Sequence, residues 1–246
     1  MTEFTVKLAG VPVRIRAVYP QMKSFLRDYL TEEEPLFTVS TEQADIDRER
    51  VLGAENRAAE GLSPLDCSEP YLETLAVYRK LAERMTEQDV LLFHGSVLAV
   101  DGEAYLFTAR SGTGKSTHAR LWREVFAERA VMINDDKPLL RIEEERVLAC
   151  GTPWNGKHHL GSNISAPLKA LCILERDVSN HIESITASDA FPMLVQQCYR
   201  PESGQGVLRV LQLLERLSKN VKLYRLGCNM EPEAARIAYQ GMQEEA

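Results

Sequence analysis

The sequence predicts a mixed α/β fold, in which strands of both orientations share one sheet, preceded by a smaller N-terminal α+β part. Three observations predict it. Apolar runs of strand length alternate with amphipathic helices after residue 88. An Asp101-Gly102 pair separates two apolar runs, which is typical of an antiparallel hairpin. The second run leads into a glycine-rich turn and a helix, residues 104–126. We therefore predict two domains, residues 1–88 and 89–246.

The N-terminal part begins with alternating apolar and polar residues. Residues 3–17 predict a hairpin that turns at Ala9-Gly10. Residues 20–30 predict a short helix and residues 36–40 a strand. The polar stretch 41–70 contains Gly53, Gly61 and Pro64, and we expect a broken helix and a connecting loop there. An apolar stripe over residues 70–85 predicts a second helix, with Pro70 in its first turn.

The C-terminal part begins with the apolar run 90–100, which predicts one buried strand that carries His94. Residues 103–108 form its hairpin partner and lead into the glycine-rich turn. A short strand, residues 131–134, ends in Asp135-Asp136. The remaining predicted elements are a hairpin (139–142 and 146–150), a loop (151–165), a strand (167–174), helices (189–199 and 206–219), a strand (221–226) and a helix (231–242).

The glycine-rich turn reads SGTGKST and lies between a strand and a helix, the setting of a phosphate-binding loop. Its backbone N–H groups can curl around an anion, and Gly112 and Gly114 permit the backbone angles this needs. Lys115 would reach the β- and γ-phosphates, and the Ser116 hydroxyl would hold Mg²⁺. Ala109 stands where the motif has a further glycine. The predicted ATP-binding residues are Ser111, Gly112, Thr113, Gly114, Lys115, Ser116 and Thr117.

Asp135 and Asp136 are the carboxylates that could act at such a loop. One can hold Mg²⁺ and the other can accept a proton from an attacking hydroxyl; a solvated turn or a helix cap is the alternative. His94 is either a hydrogen-bonded core histidine or a neighbour of the phosphate site. The loop 151–165 is either a flap near the acceptor, with Lys157 as a phosphate contact, or a solvated connection.

Composition narrows the class of protein. A net charge of −7 argues against a broad nucleic-acid-binding face. Five cysteines scattered singly indicate neither a disulfide framework nor a zinc site, and favour a reducing compartment. The N-terminus lacks the pattern of a signal peptide, and no apolar run is long enough to span a bilayer. We expect a cytoplasmic protein without nucleic-acid or membrane partners. The oligomeric state stays open, a homo-oligomer included.

Three segments together, HGSVLAVDG, SGTGKST and the strand that ends in Asp-Asp, resemble the HPr kinase/phosphorylase family. They resemble more distantly the phosphoenolpyruvate carboxykinases, which share that core. The similarity covers roughly residues 90–175 and is greatest to small bacterial HPr-kinase-like proteins, some of which phosphorylate peptides. It implies that Lys115 is the loop lysine, Ser116 the metal ligand, Asp136 the base and His94 the family's strand histidine. Ala109 and the absence of the family's usual downstream glycine-rich signature are departures.

The residues and the resemblance together predict an ATP- and Mg²⁺-dependent phosphotransferase that acts on a hydroxyl, the serine of a protein or peptide. Asp136 would accept the proton, while Asp135 and His94 would position the metal and the γ-phosphate beside Lys115. Residues 1–88 would recognise the acceptor. Three alternatives stay open: a small-molecule alcohol as acceptor, a nucleotide-responsive binding module without turnover, and a nucleotide hydrolase.

Overall fold

A computed structural model describes residues 1–59, 61–156 and 158–243. The chain divides into two compact units, Met1–Arg84 and Met85–Ala246. None of the described helices is both long and apolar enough to cross a membrane.

The first unit is a small α+β structure with its own core. Strands β1 (Thr2–Leu8) and β2 (Val11–Ala17) form the predicted antiparallel hairpin, and β3 (Phe37–Ser40) joins β2 in parallel. The helices of this unit are α1 (Gln21–Phe25), α2 (Gln43–Ala59) and α3 (Glu69–Met85). The broken helix that we expected within residues 41–70 is wrong. Helix α2 continues through the exposed Gly53, because one glycine costs a helix only about 1 kcal/mol.

The second unit is a mixed α/β structure built on one sheet. Its strands are β4 (Val90–Leu92), β5 (Ser96–Val100), β6 (Glu103–Thr108), β7 (Ala130–Asn134), β8 (Leu139–Ile142), β9 (Val147–Cys150), β10 (Ser165–Arg176), β11 (His181–Ser184) and β12 (Lys222–Cys228). Its helices are α4 (Lys115–Phe126), α5 (Ala187–Gln197), α6 (Gly204–Asn220) and α7 (Glu233–Gln243). Strand β11 was not predicted.

Strand β6, which leads into the glycine-rich turn, lies inside this sheet. The strand order is β4-β8-β9-β10-β6-β5-β7, and β12 pairs with the second half of β10. The predicted hairpin is confirmed: β5 and β6 are antiparallel, and both turn residues, Asp101 and Gly102, adopt positive φ angles of 54° and 87°. On its other side β6 pairs in parallel with β10. The strand that leads into the glycine-rich turn therefore has one antiparallel neighbour, β5, and one parallel neighbour, β10.

Helices cover both faces of the sheet, and alternation along β6 shows how. Tyr105 and Phe107 pack into the cluster that contains Trp122 of α4 and the buried face of α7. Ala104 and Leu106 point to the opposite cluster, which contains the buried residues of α5 and α6. Successive strand residues face opposite sides of a sheet, so β6 is buried on both faces, and the glycine-rich turn follows directly from this buried strand.

The prediction of one continuous strand over residues 90–100 is wrong. The chain leaves β4 after Leu92 and enters β5 at Ser96, and the two segments pair with different neighbours, β8 and β6. Between them, His94 N donates to Gln197 O (2.8 Å) and Gly95 N donates to Asp136 O (3.0 Å). His94 thus lies in an irregular link next to the aspartate pair. A Cβ on Gly95 would lie 3.0 Å from Phe107 O, so the link passes close to the β6 backbone.

Candidate phosphate-binding site

The glycine-rich turn closes tightly between β6 and α4. Gly112 and Gly114 adopt φ angles of 75° and 128°, which residues with a side chain rarely adopt. Thr113 N donates to Arg110 O (3.2 Å). Ala109 does not adopt a positive φ and is buried in the cluster around α4, so this position does not require the glycine that the motif usually has.

A row of backbone N–H groups at this turn has no partner in the part of the chain that the structure describes. Within the described residues, the N–H groups of Ser111, Gly112 and residues 114–117 donate no hydrogen bond, and Gly114 provides no side-chain cap for α4. Unpaired donors at the start of a helix, together with the positive end of its dipole, form a favourable environment for an anion. The turn is therefore suited to bind phosphate oxygens.

Arg176, the last residue of β10, holds the turn from the other side. Its Nε donates to Thr113 O (3.2 Å) and its Nη2 donates to Gly112 O. The guanidinium of Arg176 therefore holds both carbonyl oxygens of the turn towards the end of β10. Arg176 is not among the site residues that the sequence predicts. The available signal was its position at the end of a predicted strand, where neighbouring parallel strands place ligand-binding groups.

Lys115 lies folded over the turn. Its Nζ donates to Ala109 O at 3.1 Å, and the side chain is partly buried. Burial lowers the pKa of Lys115, while the charge of Asp136 acts in the opposite direction. An ammonium held this way can leave the carbonyl for a stronger acceptor, such as a phosphate oxygen, without moving the backbone.

The two aspartates after β7 have different neighbours. Asp136 Oδ1 lies 3.2 Å from His94 Nε2. Asp135 Oδ1 accepts a hydrogen bond from Gly156 N (2.6 Å), and a Cβ on Gly156 would lie 3.1 Å from this carboxylate. The structure thus places Asp136 with His94 and Asp135 with the loop after β9.

Asp136 is a carboxylate that stays ionised at neutral pH. Burial alone would raise its pKa. The hydrogen bond to His94 and the charges of Lys137, His94 and Lys115 outweigh burial, so the pKa lies below its ordinary value. A carboxylate in this state can accept a proton from a hydroxyl.

Asn134, fully buried at the end of β7, fixes the aspartate pair against the loop. Its Oδ1 accepts from the N–H groups of Asp136 (2.9 Å) and Lys137 (2.5 Å). Its Nδ2 donates to Thr152 Oγ1 (3.0 Å) and Asn155 Oδ1 (3.1 Å). The loop 151–165 is thereby bound to the site at residues 152–156, and it is not a solvated connection there. Lys157, the predicted phosphate contact, lies outside the described residues.

Ser116 and Asp135, the predicted metal ligands, line one cavity of about 270 Å³. The other lining residues are Ala119, Arg120, Arg123, Met132, His158 and Leu160. Within the described residues no group of three or more His, Cys, Asp or Glu side chains could hold a metal ion unaided. Mg²⁺ is commonly bound by one or two protein oxygens together with substrate phosphates. One hydroxyl and one carboxylate beside a turn that is suited to phosphate fit that ion.

Comparison with known proteins adds little to this geometry. No family model matches the chain, and no curated protein matches it. Among solved structures, the HPr(Ser) kinase/phosphatase from Coxiella burnetii is similar to 62% of this chain and 99% of its own, with a TM-score of 0.36 at 10% sequence identity. A likeness this weak carries no argument about activity, which therefore rests on the residues of this chain.

Proposed function

We propose that the chain is an ATP-dependent phosphotransferase that transfers a phosphoryl group to a hydroxyl, the serine of a protein or peptide. The observation that carries the proposal is the combination of two features. One is the row of N–H groups of Ser111, Gly112 and residues 114–117, which have no partner within the described residues, with Lys115 folded over the turn. The other is the ionised Asp136 nearby, whose charge acts on Lys115. The first suits a polyphosphate, and the second is the base that an alcohol needs.

Each residue has a separate part in binding. The backbone of residues 111–117 would hold the β- and γ-phosphates, and Lys115 would exchange Ala109 O for a phosphate oxygen. Ser116 and Asp135, which share a cavity, would hold Mg²⁺. ATP-Mg²⁺, when bound, would supply the phosphoryl group, together with a divalent cation that neutralises charge on the phosphate oxygens.

Asp136 would accept the proton of the attacking hydroxyl. His94 would orient this carboxylate through the 3.2 Å contact to Oδ1 and leave the second oxygen for the acceptor. The lowered pKa of Asp136 keeps it in the base form. We assign recognition of the acceptor to residues 1–88, and a small-molecule alcohol is the second candidate acceptor.

Two alternatives make different predictions. A binding module without turnover would need the N–H row but has no use for an ionised carboxylate held by a histidine. A hydrolase would use the same groups on water. Asp136 favours an enzyme over a binding module, and the fate of the phosphoryl group separates a kinase from a hydrolase.

Transfer of γ-labelled phosphate from ATP-Mg²⁺ to protein, peptide and metabolite fractions of a bacterial lysate tests the proposal. We expect label in a protein or peptide band. Lys115→Ala should weaken nucleotide binding and transfer together, because it removes a phosphate contact. Asp136→Asn should spare binding and slow transfer by about 10²–10⁴, the usual contribution of a general base.

Lys219→Ala, on the exposed face of α6, is the matched control and should behave as the wild type. Label in a metabolite would identify a small-molecule kinase. Release of free phosphate alone would identify a hydrolase, and tight ATP binding with no turnover would identify a binding module. Normal transfer by Asp136→Asn would show that the base is another residue.

A further inference from the structure

A second cavity, of about 510 Å³, lies beside the phosphate-binding turn, at the carboxyl ends of β10 and β12. In the sheet, β10 is the neighbour of β6 on the side away from β5 and β7, which carries the aspartate pair. Gly112, Gly114 and Thr117 line this cavity as well. A ligand held by the N–H row can therefore extend into it, away from Asp135 and Asp136.

Two large apolar side chains line the cavity and are nevertheless exposed. Val178, after β10, is 94% exposed, and Met230, after β12, is 77% exposed. Apolar side chains that stay this exposed beside a concave site indicate a surface that an apolar partner can cover. Leu174, at the end of β10, adds a buried apolar side chain to the same cavity.

The loops that carry Val178 and Met230 are fixed to each other. Asn180 Nδ2 donates to Asn229 Oδ1 (3.1 Å), and Asn229 N donates to Asn180 Oδ1 (2.9 Å). Asp177 N also donates to Cys228 O (3.0 Å). Because both loops are tied by hydrogen bonds, the two apolar side chains are presented by an ordered frame, and a flat ligand meets a preformed surface.

His118 also lines this cavity, with a ring that is almost fully buried. Its Nε2 accepts a hydrogen bond from Trp122 Nε1 (2.9 Å), whereas its buried Nδ1 has no partner among the described residues. Burial lowers the pKa of His118 to about 3, so the ring is neutral and Nδ1 carries the proton. The His118 ring therefore brings no charge to the cavity, which suits a ligand with an uncharged, flat apolar face.

We propose that this cavity binds the base and ribose of a purine nucleoside triphosphate, with the base against Val178 and Met230. The inference rests on the proposed function, since the phosphates must occupy the adjoining N–H row. A volume of about 510 Å³ lies within the range of small-molecule sites. Val178 and Met230 offer apolar atoms to the face of the base, so binding depends on the area of the ring system more than on its edge groups.

Calorimetric titration of the full chain with ATP, GTP, CTP and tripolyphosphate, each with Mg²⁺, tests the inference. The wild type should bind ATP and GTP about tenfold or more tighter than tripolyphosphate, with CTP between them because its base is smaller. Val178→Ser combined with Met230→Ser should remove most of this advantage and leave tripolyphosphate affinity unchanged. Leu208→Ser, at an exposed apolar position on α6, is the matched control.

Lys115→Ala tests the phosphate site separately from the base site. This substitution should weaken the binding of tripolyphosphate and the binding of ATP by the same factor. Tripolyphosphate that binds as tightly as ATP would overturn the base site while leaving the phosphate site intact. So would CTP that binds as tightly as ATP, or an ATP advantage that survives the double substitution. If neither ATP nor tripolyphosphate binds the wild type, the proposed function fails and the base site fails with it.

Discussion

At the scale of single residues, the proposed reaction depends on how one carboxylate is kept charged inside the protein. Asp136 is partly buried, and burial is the largest influence on its pKa, acting to raise it. The hydrogen bond to His94 is the largest influence in the other direction. His94, in the link between β4 and β5, thus lowers the pKa of the neighbouring Asp136.

Replacing His94 by alanine should shift the pH dependence of phosphoryl transfer. With the hydrogen bond removed, burial is less opposed and the pKa of Asp136 rises. A protonated carboxyl cannot accept a proton, so the acidic limb of the profile of kcat/KM should move to higher pH. The measurement is label transfer between about pH 3 and pH 8, a range that extends below the ordinary pKa of an aspartate.

His159→Ala, in the loop after β9, is the control for this experiment. An acidic limb that stays in place in His94→Ala, with only a uniform drop in rate, would mean that His94 supports the fold and does not set the charge of Asp136. The profile distinguishes the two roles, whereas the rate alone does not.

At the scale of elements, the strand–turn–helix unit is the part that sequence predicts well. The motif SGTGKST, the hairpin at Asp101-Gly102 and the amphipathic helix after Lys115 all depend on contacts between near neighbours, and the hairpin and the helix are present. What local pattern cannot show is a long-range partner. Arg176 contacts the turn from more than sixty residues away. Asn134 binds the loop after β9. In the sequence, nothing distinguishes Asn134 from other polar residues at the end of a strand.

The break between β4 and β5 has the same origin. Residues 90–100 are almost uniformly apolar, and a uniformly apolar run gives no sign of where a strand leaves one partner for another. Where the chain changes partner, the link donates hydrogen bonds to groups distant in sequence, Gln197 O and Asp136 O. The apolar pattern thus correctly predicted that residues 90–100 are mostly buried, but wrongly predicted that they form one continuous strand.

The hydrogen bonds of the Asn134 side chain should contribute to the stability of the fold. Asn134→Ala should lower the free energy of unfolding by about 2–4 kcal/mol, because it removes the hydrogen bonds that this buried side chain makes with residues 136, 137, 152 and 155. Denaturant unfolding followed by circular dichroism measures this loss. Asn220→Ala is the control, since that side chain makes an exposed hydrogen bond to Glu144 O.

The Asn134→Ala variant should also lose transfer activity in the population that remains folded, because the turn of the aspartate pair is held by Asn134 Oδ1. A loss of stability equal to that of Asn220→Ala would show that solvent replaces these hydrogen bonds without penalty, and that the loop does not depend on them.

At the scale of the whole molecule, each unit has its own core. In the first unit the fully buried carboxylate of Glu73 accepts from Val18 N (2.6 Å), Tyr19 N (2.9 Å) and Thr41 Oγ1 (2.6 Å), which fixes α3 to the chain after β2 and after β3. All the residues of the candidate phosphate site lie in the second unit. This division allows nucleotide binding and acceptor recognition to be tested separately.

Residues 85–246 expressed alone should bind ATP with the affinity of the full chain, because the turn, Arg176, the aspartate pair and the proposed base site all lie within them. The same fragment should fail to label the protein or peptide acceptor if residues 1–88 recognise it. Calorimetry measures the first property and label transfer the second, with circular dichroism to establish that the fragment is folded and Lys115→Ala to establish that binding uses the turn. A folded fragment that labels the acceptor as fast as the full chain would place recognition in the second unit. A folded fragment that does not bind ATP would show that nucleotide binding needs residues of the first.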